Sequence, residues 1–340
     1  MAKYGVGIIG AGWVAGEYVK VFRDLPLTDL VGIYNRTPGK ATSLMQTHSV
    51  DAKEYGSVDE LFDDERINIV VSATHPDVRA EHCVRAAETG RHIVIEKPIG
   101  VEPAQTQAIR EAVAKSGVKT VTSVVLRWNP QFVTVKQMIA DGVLGELVYG
   151  EADYWHPLQT YYPGYKSFVS WDRGRSSVLA GGCHALDILR YLGGEIVEVA
   201  AFSAPKKINM DYEYDPNVVA SLRFENGAVG KLATVFDADT PYIFNCRLFG
   251  TEATIQNNEV YSSKHYPGSL GYWTFPTIAP DSADVTHHPF KEEIEHFLDC
   301  IERDVESHAS IHDSYKTMAA CFAIDESAAN GGQPVKVNLD

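Results

Sequence analysis

Apolar residues in the first part of the chain come in short unbroken runs. Val6–Ile9, Leu30–Tyr34, Asn68–Val71, His92–Ile95 and Val118–Leu126 each read as a strand. Helix-like segments lie between them at about 12–24, 37–47, 57–63, 77–89 and 103–116. Ser57 with Glu60 fits a capping box, and Pro103 suits a first helical position. Gly90 and Gly117 stand where helices end in a left-handed residue. Continuous apolar strands alternating with helices predict a parallel sheet covered on both faces.

After about residue 127 the pattern changes. One helix is predicted at 130–141, followed by long β-prone segments at 146–155, 195–205, 217–225, 228–236, 243–249 and 253–256. Asn226-Gly227 is a hairpin-type turn signal between two of them. A helix near 180–192 interrupts this series, and helices near 289–304 and 312–329 follow it. Strands without intervening helices predict an α+β domain with a mostly antiparallel sheet. The expected division is therefore a parallel α/β domain at 1–126 and an α+β domain at 127–340.

Composition narrows the function classes. The 340 residues suit two domains at about 150 residues each. The net charge of −15 argues against nucleic acid or an anionic membrane surface as the main partner, because both need a basic face. The five cysteines (Cys83, Cys183, Cys246, Cys300, Cys321) are widely spaced and form no C-x-x-C pair. They read as thiols in a reducing compartment rather than a disulfide or zinc framework. No apolar run approaches the roughly 20 residues of a membrane span, and Met1-Ala2-Lys3-Tyr4 runs directly into the strand rather than forming a signal peptide. A cytoplasmic location is expected.

Gly10-Ala11-Gly12-Trp13-Val14-Ala15 follows the first strand and opens a helix. In a G-x-G-x-x-A turn, the first glycine permits the tight bend and the second lets a pyrophosphate approach the backbone. The small sixth residue allows close helix–strand packing, and the helix amides hold the phosphates. Gly10, Gly12, Trp13 and Val14 are thus candidate dinucleotide-binding residues. The end of the second strand ordinarily supplies an acid for the adenosine ribose. Here it reads Asn35-Arg36-Thr37, with Lys40 following. The missing acid and the basic residues favour NADP over NAD, the alternative being an arginine that merely covers the adenine face. Thr74 and His75, after another strand, are expected to line the cofactor cleft, with helix initiation by Pro76 and Asp77 as the competing reading. Glu96-Lys97-Pro98 ends a buried strand, where ligands of open α/β sheets sit. Lys97 could be desolvated there and relay a proton, with Glu96 as its partner, or it could simply face solvent.

These motifs, together with Arg127-Trp128-Asn129-Pro130, Gly142-Val143-Leu144-Gly145 and Gly181-Gly182-Cys183-His184-Ala185-Leu186-Asp187 in the same order, resemble the glucose–fructose oxidoreductase, inositol dehydrogenase and rhizopine-catabolism (Gfo/Idh/MocA) family. The resemblance covers roughly residues 5–260. It implies a doubly wound Rossmann domain followed by an α+β domain with a large open sheet, an NADP or NAD cofactor, and a sugar or cyclitol substrate. It also implies that Lys97 contacts the reacting oxygen and that His184 is the proton acid/base. Many relatives carry an aspartate four residues before that histidine, where this chain has Ala180. The broad open sheet of such a fold implies a homodimer or homotetramer.

Residues 149–173 hold eight aromatics: Tyr149, Tyr154, Trp155, Tyr161, Tyr162, Tyr165, Phe168 and Trp171. They suit either stacking on sugar faces or strand core plus an oligomer interface. Candidate substrate contacts are Arg127, Trp155, Lys166, Trp171, Asp172, Arg173 and Asp187, beside Lys97 and His184. His265 with His287-His288 lacks the cysteine or carboxylate spacing of a metal site. Two other readings stay open: redox-assisted glycoside elimination with a tightly bound cofactor, and a non-catalytic nucleotide-sensing regulator on the same fold.

Overall fold

The structure, a computed structural model, describes residues 3–162, 164–280 and 288–340. They divide into two compact units, Met1–Ser123 with Phe290–Tyr315, and Val124–Pro289 with Lys316–Asp340.

The first unit alternates β1 (Tyr4–Ile9), α1 (Trp13–Asp24), β2 (Thr28–Tyr34), α2 (Lys40–Thr47), β3 (Lys53–Tyr55), α3 (Val58–Phe62), β4 (Ile67–Ser72), α4 (Pro76–Glu88), β5 (His92–Ile95), α5 (Pro103–Ser116) and β6 (Thr120–Thr122). The strands form one parallel sheet in the order β3-β2-β1-β4-β5-β6. The order reverses between β1 and β4, and the crevice for a ligand opens at such a switch point. The core is the continuous apolar run of each strand: Val6, Ile8, Ile33, Ile69, Val70, Val71, Ile93, Val94 and Val121 are all buried. The predicted punctuation is present. Glu60 N–H donates to Ser57 Oγ at 3.1 Å, Pro103 opens α5, and Gly90 and Gly117 both have φ of 73°.

The second unit contains a 3₁₀ turn (Val125–Trp128), then α6 (Pro130–Ala140), β7 (Leu147–Trp155), the single turn α7 (Tyr165–Phe168), a π-helical turn (Val178–Gly182) and α8 (Cys183–Gly193). There follow β8 (Ile196–Ala204), β9 (Asn217–Phe224), β10 (Val229–Val235), β11 (Ile243–Gly250), β12 (Thr254–Gln256), β13 (Glu259–Tyr261) and β14 (Trp273–Thr274). After α9 (Phe290–Glu302), α10 (Ile311–Ala329) and β15 (Val335–Lys336) complete the chain. Nine strands pair as β14-β13-β12-β11-β7-β10-β9-β8-β15. The sheet is antiparallel except where β10 runs parallel to β7.

The sequence division at residue 126 assigns everything after it to the second unit. Instead, α9 and the turn after it pack in the first. Ala309 C=O accepts from Thr122 N–H at 2.7 Å, and Ile311 N–H donates to Thr120 Oγ1 at 2.9 Å. These bonds close the outer edge of β6, a polar edge that a parallel sheet cannot leave bare beneath a core. The strand expected over 118–126 is correspondingly short, ending at Thr122 and giving way to the 3₁₀ turn.

Close packing of backbone demands glycine at Gly250, where β11 bulges. A Cβ there would stand 2.0 Å from the Leu144 carbonyl oxygen. Gly250→Ala is expected to cost about 1–3 kcal/mol, seen as a lower urea midpoint with an unchanged m-value.

Candidate active site

In the first unit, the carboxyl ends of β1, β2, β4 and β5 supply the residues in question. Gly10 has φ of +109°, and a Cβ on it would lie 2.4 Å from the Ala73 carbonyl oxygen. Its N–H donates to Tyr34 C=O at 2.8 Å, and Ala73 N–H donates to Ile9 C=O at 2.9 Å. The turn is thus clamped between the ends of β2 and β4. Two residues on, Gly12 faces open space, for no atom lies within 4 Å of where its Cβ would be. Gly12 is the N-cap of α1, with no side-chain cap and no acid in the first turn. Ala15 is fully buried, as close helix–strand packing requires. Asn35 orients the turn, its Oδ1 accepting from Ala11 N–H at 3.0 Å. Trp13, Arg36, Thr37 and Lys40 are exposed, and Val14 is half-buried.

This arrangement fits a dinucleotide. The second glycine leaves the helix amides approachable, and the positive end of α1 carries no competing carboxylate. One nearby acid was missed in the sequence. Glu54, on β3, accepts from Gly39 N–H at 2.7 Å and from Thr42 N–H at 3.3 Å, where α2 begins. Its distance from Arg36 along the chain concealed it.

His75 is the exposed N-cap of α4, and Pro76 opens that helix. Thr74 is half-buried, its carbonyl accepting from the Arg79 guanidinium. Glu96 is buried, whereas Lys97 is half-buried with its N–H donating to Glu96 Oε2 at 3.1 Å. Burial pushes the Glu96 carboxyl up, opposed by the charges of Arg79 and Lys97.

In the second unit, His184 stands in the first turn of α8, 7 % exposed. The helix meets the sheet through Gly181 and Gly182. A Cβ on Gly181 would lie 2.5 Å from the Tyr154 ring, and one on Gly182 would lie 2.1 Å from the Thr234 methyl. The Tyr154 ring is 6.2 Å from that of His184. Tyr154 Oη is 3.2 Å from His156 Nδ1, and the His156 ring packs against Tyr162 and Tyr242.

Successive side chains of β7 point to opposite faces of the sheet. Tyr154 and His156 share the face that meets α8. Trp155, expected to contact substrate, points to the opposite face of the sheet. Arg127 and Asp187 also depart from expectation. They form a two-point ion pair, Nε–Oδ2 2.7 Å and Nη2–Oδ1 2.6 Å, with both side chains at most 1 % exposed. Thr317 Oγ1 donates to the same carboxylate at 2.7 Å. Neither side chain presents surface to a ligand; together they anchor α8. Ala180 is buried in the π-helical turn.

Lys166, Trp171 and Asp172 are exposed, and Arg173 is half-buried. Their loop is tied down by Trp171 N–H donating to Glu213 at 2.7 Å and by Tyr165 Oη donating to Asp211 at 2.7 Å. It ends at Ser176, whose hydroxyl donates to half-buried Asp325 at 2.8 Å. Burial pushes the Asp325 carboxyl up to about 7, against the hydrogen bond from Ser176 and the charge of Arg175. His265 is 3.3 Å from Glu252; His287 lies outside the described residues.

Residues 4–124 match an oxidoreductase family with an NAD-binding Rossmann fold, and residues 132–256 match the GFO/IDH/MocA C-terminal domain. The chain belongs to the GFO/IDH/MocA oxidoreductase family. Among the relatives of this oxidoreductase is levoglucosan dehydrogenase of Pseudarthrobacter phenanthrenivorans, 25 % identical over 64 % of this chain and 68 % of that one. Another is inositol 2-dehydrogenase of Salmonella typhimurium, 21 % identical over 60 % of this chain and 59 % of that one. A levoglucosan dehydrogenase solved with NADH superposes with a TM-score of 0.88 over 99 % of this chain and 100 % of that one, at 22 % identity. At that identity the likeness is one of fold. Among the described residues of the oxidoreductase, no helix is long and apolar enough to cross a membrane.

Two outcomes follow for the second unit. Asp187→Ala strands a buried guanidinium and is expected to cost about 3–5 kcal/mol of unfolding free energy. Asp325 binds its proton more tightly folded than unfolded, so its contribution is complete at low pH. That contribution is lost as pH rises from the ordinary aspartate range to about 7. Asp325→Asn is therefore expected to gain on the wild type across that window, by on the order of 1 kcal/mol per pH unit, in urea titrations at stepped pH.

Proposed function

We propose that this chain is a dehydrogenase for a secondary alcohol of a sugar, sugar derivative or cyclitol, with NAD as its cofactor. The observation that carries the reading is the glycine turn at the switch point. Gly10 is held by backbone on both sides, and Gly12 leaves the start of α1 open. Gly10, Gly12 and the amides of Trp13 and Val14 would hold the pyrophosphate, with Thr74 and His75 beside them at the end of β4. When bound, the nicotinamide supplies a two-electron acceptor for the carbon-bound hydrogen.

The residues of the chain handle the remaining proton. The motif match gives Lys97 Nζ the contact with the substrate oxygen, where a cation favours oxyanion character. It gives His184 the exchange of the hydroxyl proton, a task suited to imidazole near neutral pH. Retention of both residues speaks against a purely regulatory role. Tyr154 beside His184, with Tyr162 and Tyr242 around His156, forms an aromatic wall that suits the apolar face of a sugar ring. Lys166, Trp171, Asp172 and Arg173 are read as further substrate contacts.

The preference for NAD over NADP rests on Glu54. The amides at the start of α2, an anion site by their position, already bind its carboxylate. A second anion there would be repelled, which outweighs exposed Arg36 and Lys40.

Reduced nicotinamide should accumulate when the purified protein is given NAD+ and a panel of polyols that includes levoglucosan and myo-inositol. Lys97→Ala and His184→Ala are each expected to lower kcat/KM by about 10²–10⁴-fold while nucleotide binding persists. Unchanged turnover in either variant would remove its catalytic role. Glu54→Gln is expected to raise kcat/KM for NADP+ relative to NAD+ by about tenfold. No change in that ratio would overturn the cofactor assignment.

A further inference from the structure

The first unit buries two carboxyl groups that the proposed reaction does not use directly. Glu96 is 5 % and Glu293 0 % exposed. They are joined by a chain of hydroxyls drawn from separate elements. Tyr18 Oη, on α1, lies 2.7 Å from Glu96 Oε1. The same hydroxyl meets Ser123 Oγ, just after β6. Ser123 Oγ in turn lies 2.9 Å from Glu293 Oε1, on α9.

Counting hydrogens decides the protonation. The chain has three oxygen-to-oxygen links, and each needs one hydrogen between its oxygens. Tyr18 and Ser123 supply two. Two ionised carboxylates would leave one link as a bare contact of lone pairs, so the third hydrogen belongs to a carboxylic acid.

The surroundings choose which one. Burial raises both carboxyls, but Glu96 alone also feels the buried Arg79 guanidinium of α4, the Lys97 charge, the Tyr18 hydroxyl and the Lys97 N–H, all of which favour its anion. The groups acting on Glu293 are the Ser123 hydroxyl and the negative charge of Glu96. Among the described residues, Glu293 Oε2 is buried without a hydrogen-bond partner. Burial first, and Glu96 in addition, push the Glu293 carboxyl well above the usual range.

We propose that Glu293 is a neutral carboxylic acid in the folded protein and that it acts as a positioning residue for Lys97. Its hydrogen points to Ser123 Oγ, that of Ser123 to Tyr18 Oη, and that of Tyr18 to Glu96 Oε1. The chain thereby fixes Glu96 as an anion with one oxygen on Tyr18 and the other on the Lys97 N–H. The protonation state does not depend on the proposed reaction; the positioning role rests on the function given to Lys97 above.

Infrared difference spectra of the full-length protein test the protonation without any ligand. At about pH 8, far above the ordinary carboxylate range, the wild type is expected to show the carbonyl stretch of a buried carboxylic acid. Glu293→Gln is expected to lose that band, and Glu96→Gln to keep it. Absence of the band, or its survival in Glu293→Gln, overturns the proposal.

Kinetics test the positioning. Glu293→Gln keeps a neutral donor and should retain kcat within about threefold, whereas Ser123→Ala severs the chain and should move the pH profile of kcat/KM by about one unit. A Ser123→Ala variant that is less stable but has an unmoved profile reduces the chain to a structural role and sinks the positioning claim. If Lys97→Ala itself leaves turnover intact, the assignment of Lys97 fails while the infrared result stands.

Discussion

A guanidinium and a carboxylate with almost no exposure hold the second unit in register. Arg127 comes from the turn that opens this unit, Asp187 from α8, and Thr317 from α10. Each partner alone would be an unbalanced charge in an apolar interior, so the three elements assemble together or not at all. His184 sits one helical turn before Asp187. Its place against Tyr154 is therefore set by an ion pair that touches no substrate, and an imidazole on an anchored helix is better oriented than one on a loop.

Small residues do the complementary work. Gly10, Gly181 and Gly182 each occupy a spot where a methyl group would strike backbone or a neighbouring side chain. In the first unit this brings the turn before α1 against the end of β4. In the second it lets α8 press onto β7 and β10. His184 thus follows directly on backbone that could not tolerate ordinary side chains.

Much of this was legible in the sequence, because strand and helix periodicities are strong in long segments. The alternation of β1 to β6 with helices, the glycine turn, the Glu96-Lys97-Pro98 strand end and the helix bearing His184 all follow from local pattern. What stayed hidden was non-local or two-sided. β3, β13, β14 and β15 have two or three residues each, too few to display a period. Trp155 and Tyr154 look equivalent in an aromatic run, and only the face of β7 separates them. Arg127 and Asp187 read as reactive polar residues because nothing local reveals that each neutralises the other. Glu54 and Glu293 gain their meaning from partners many residues away.

The return of α9 to the first sheet has a consequence for how the polypeptide can be made and cut. Ala309 and Ile311 finish the edge of β6, and Glu293 completes the hydroxyl chain that begins at Tyr18. A ribosome that has emitted only the opening segment has not yet delivered these groups. The nucleotide-binding unit thus becomes whole only after the intervening second-unit residues have been made, and no single cleavage of the backbone can release it intact.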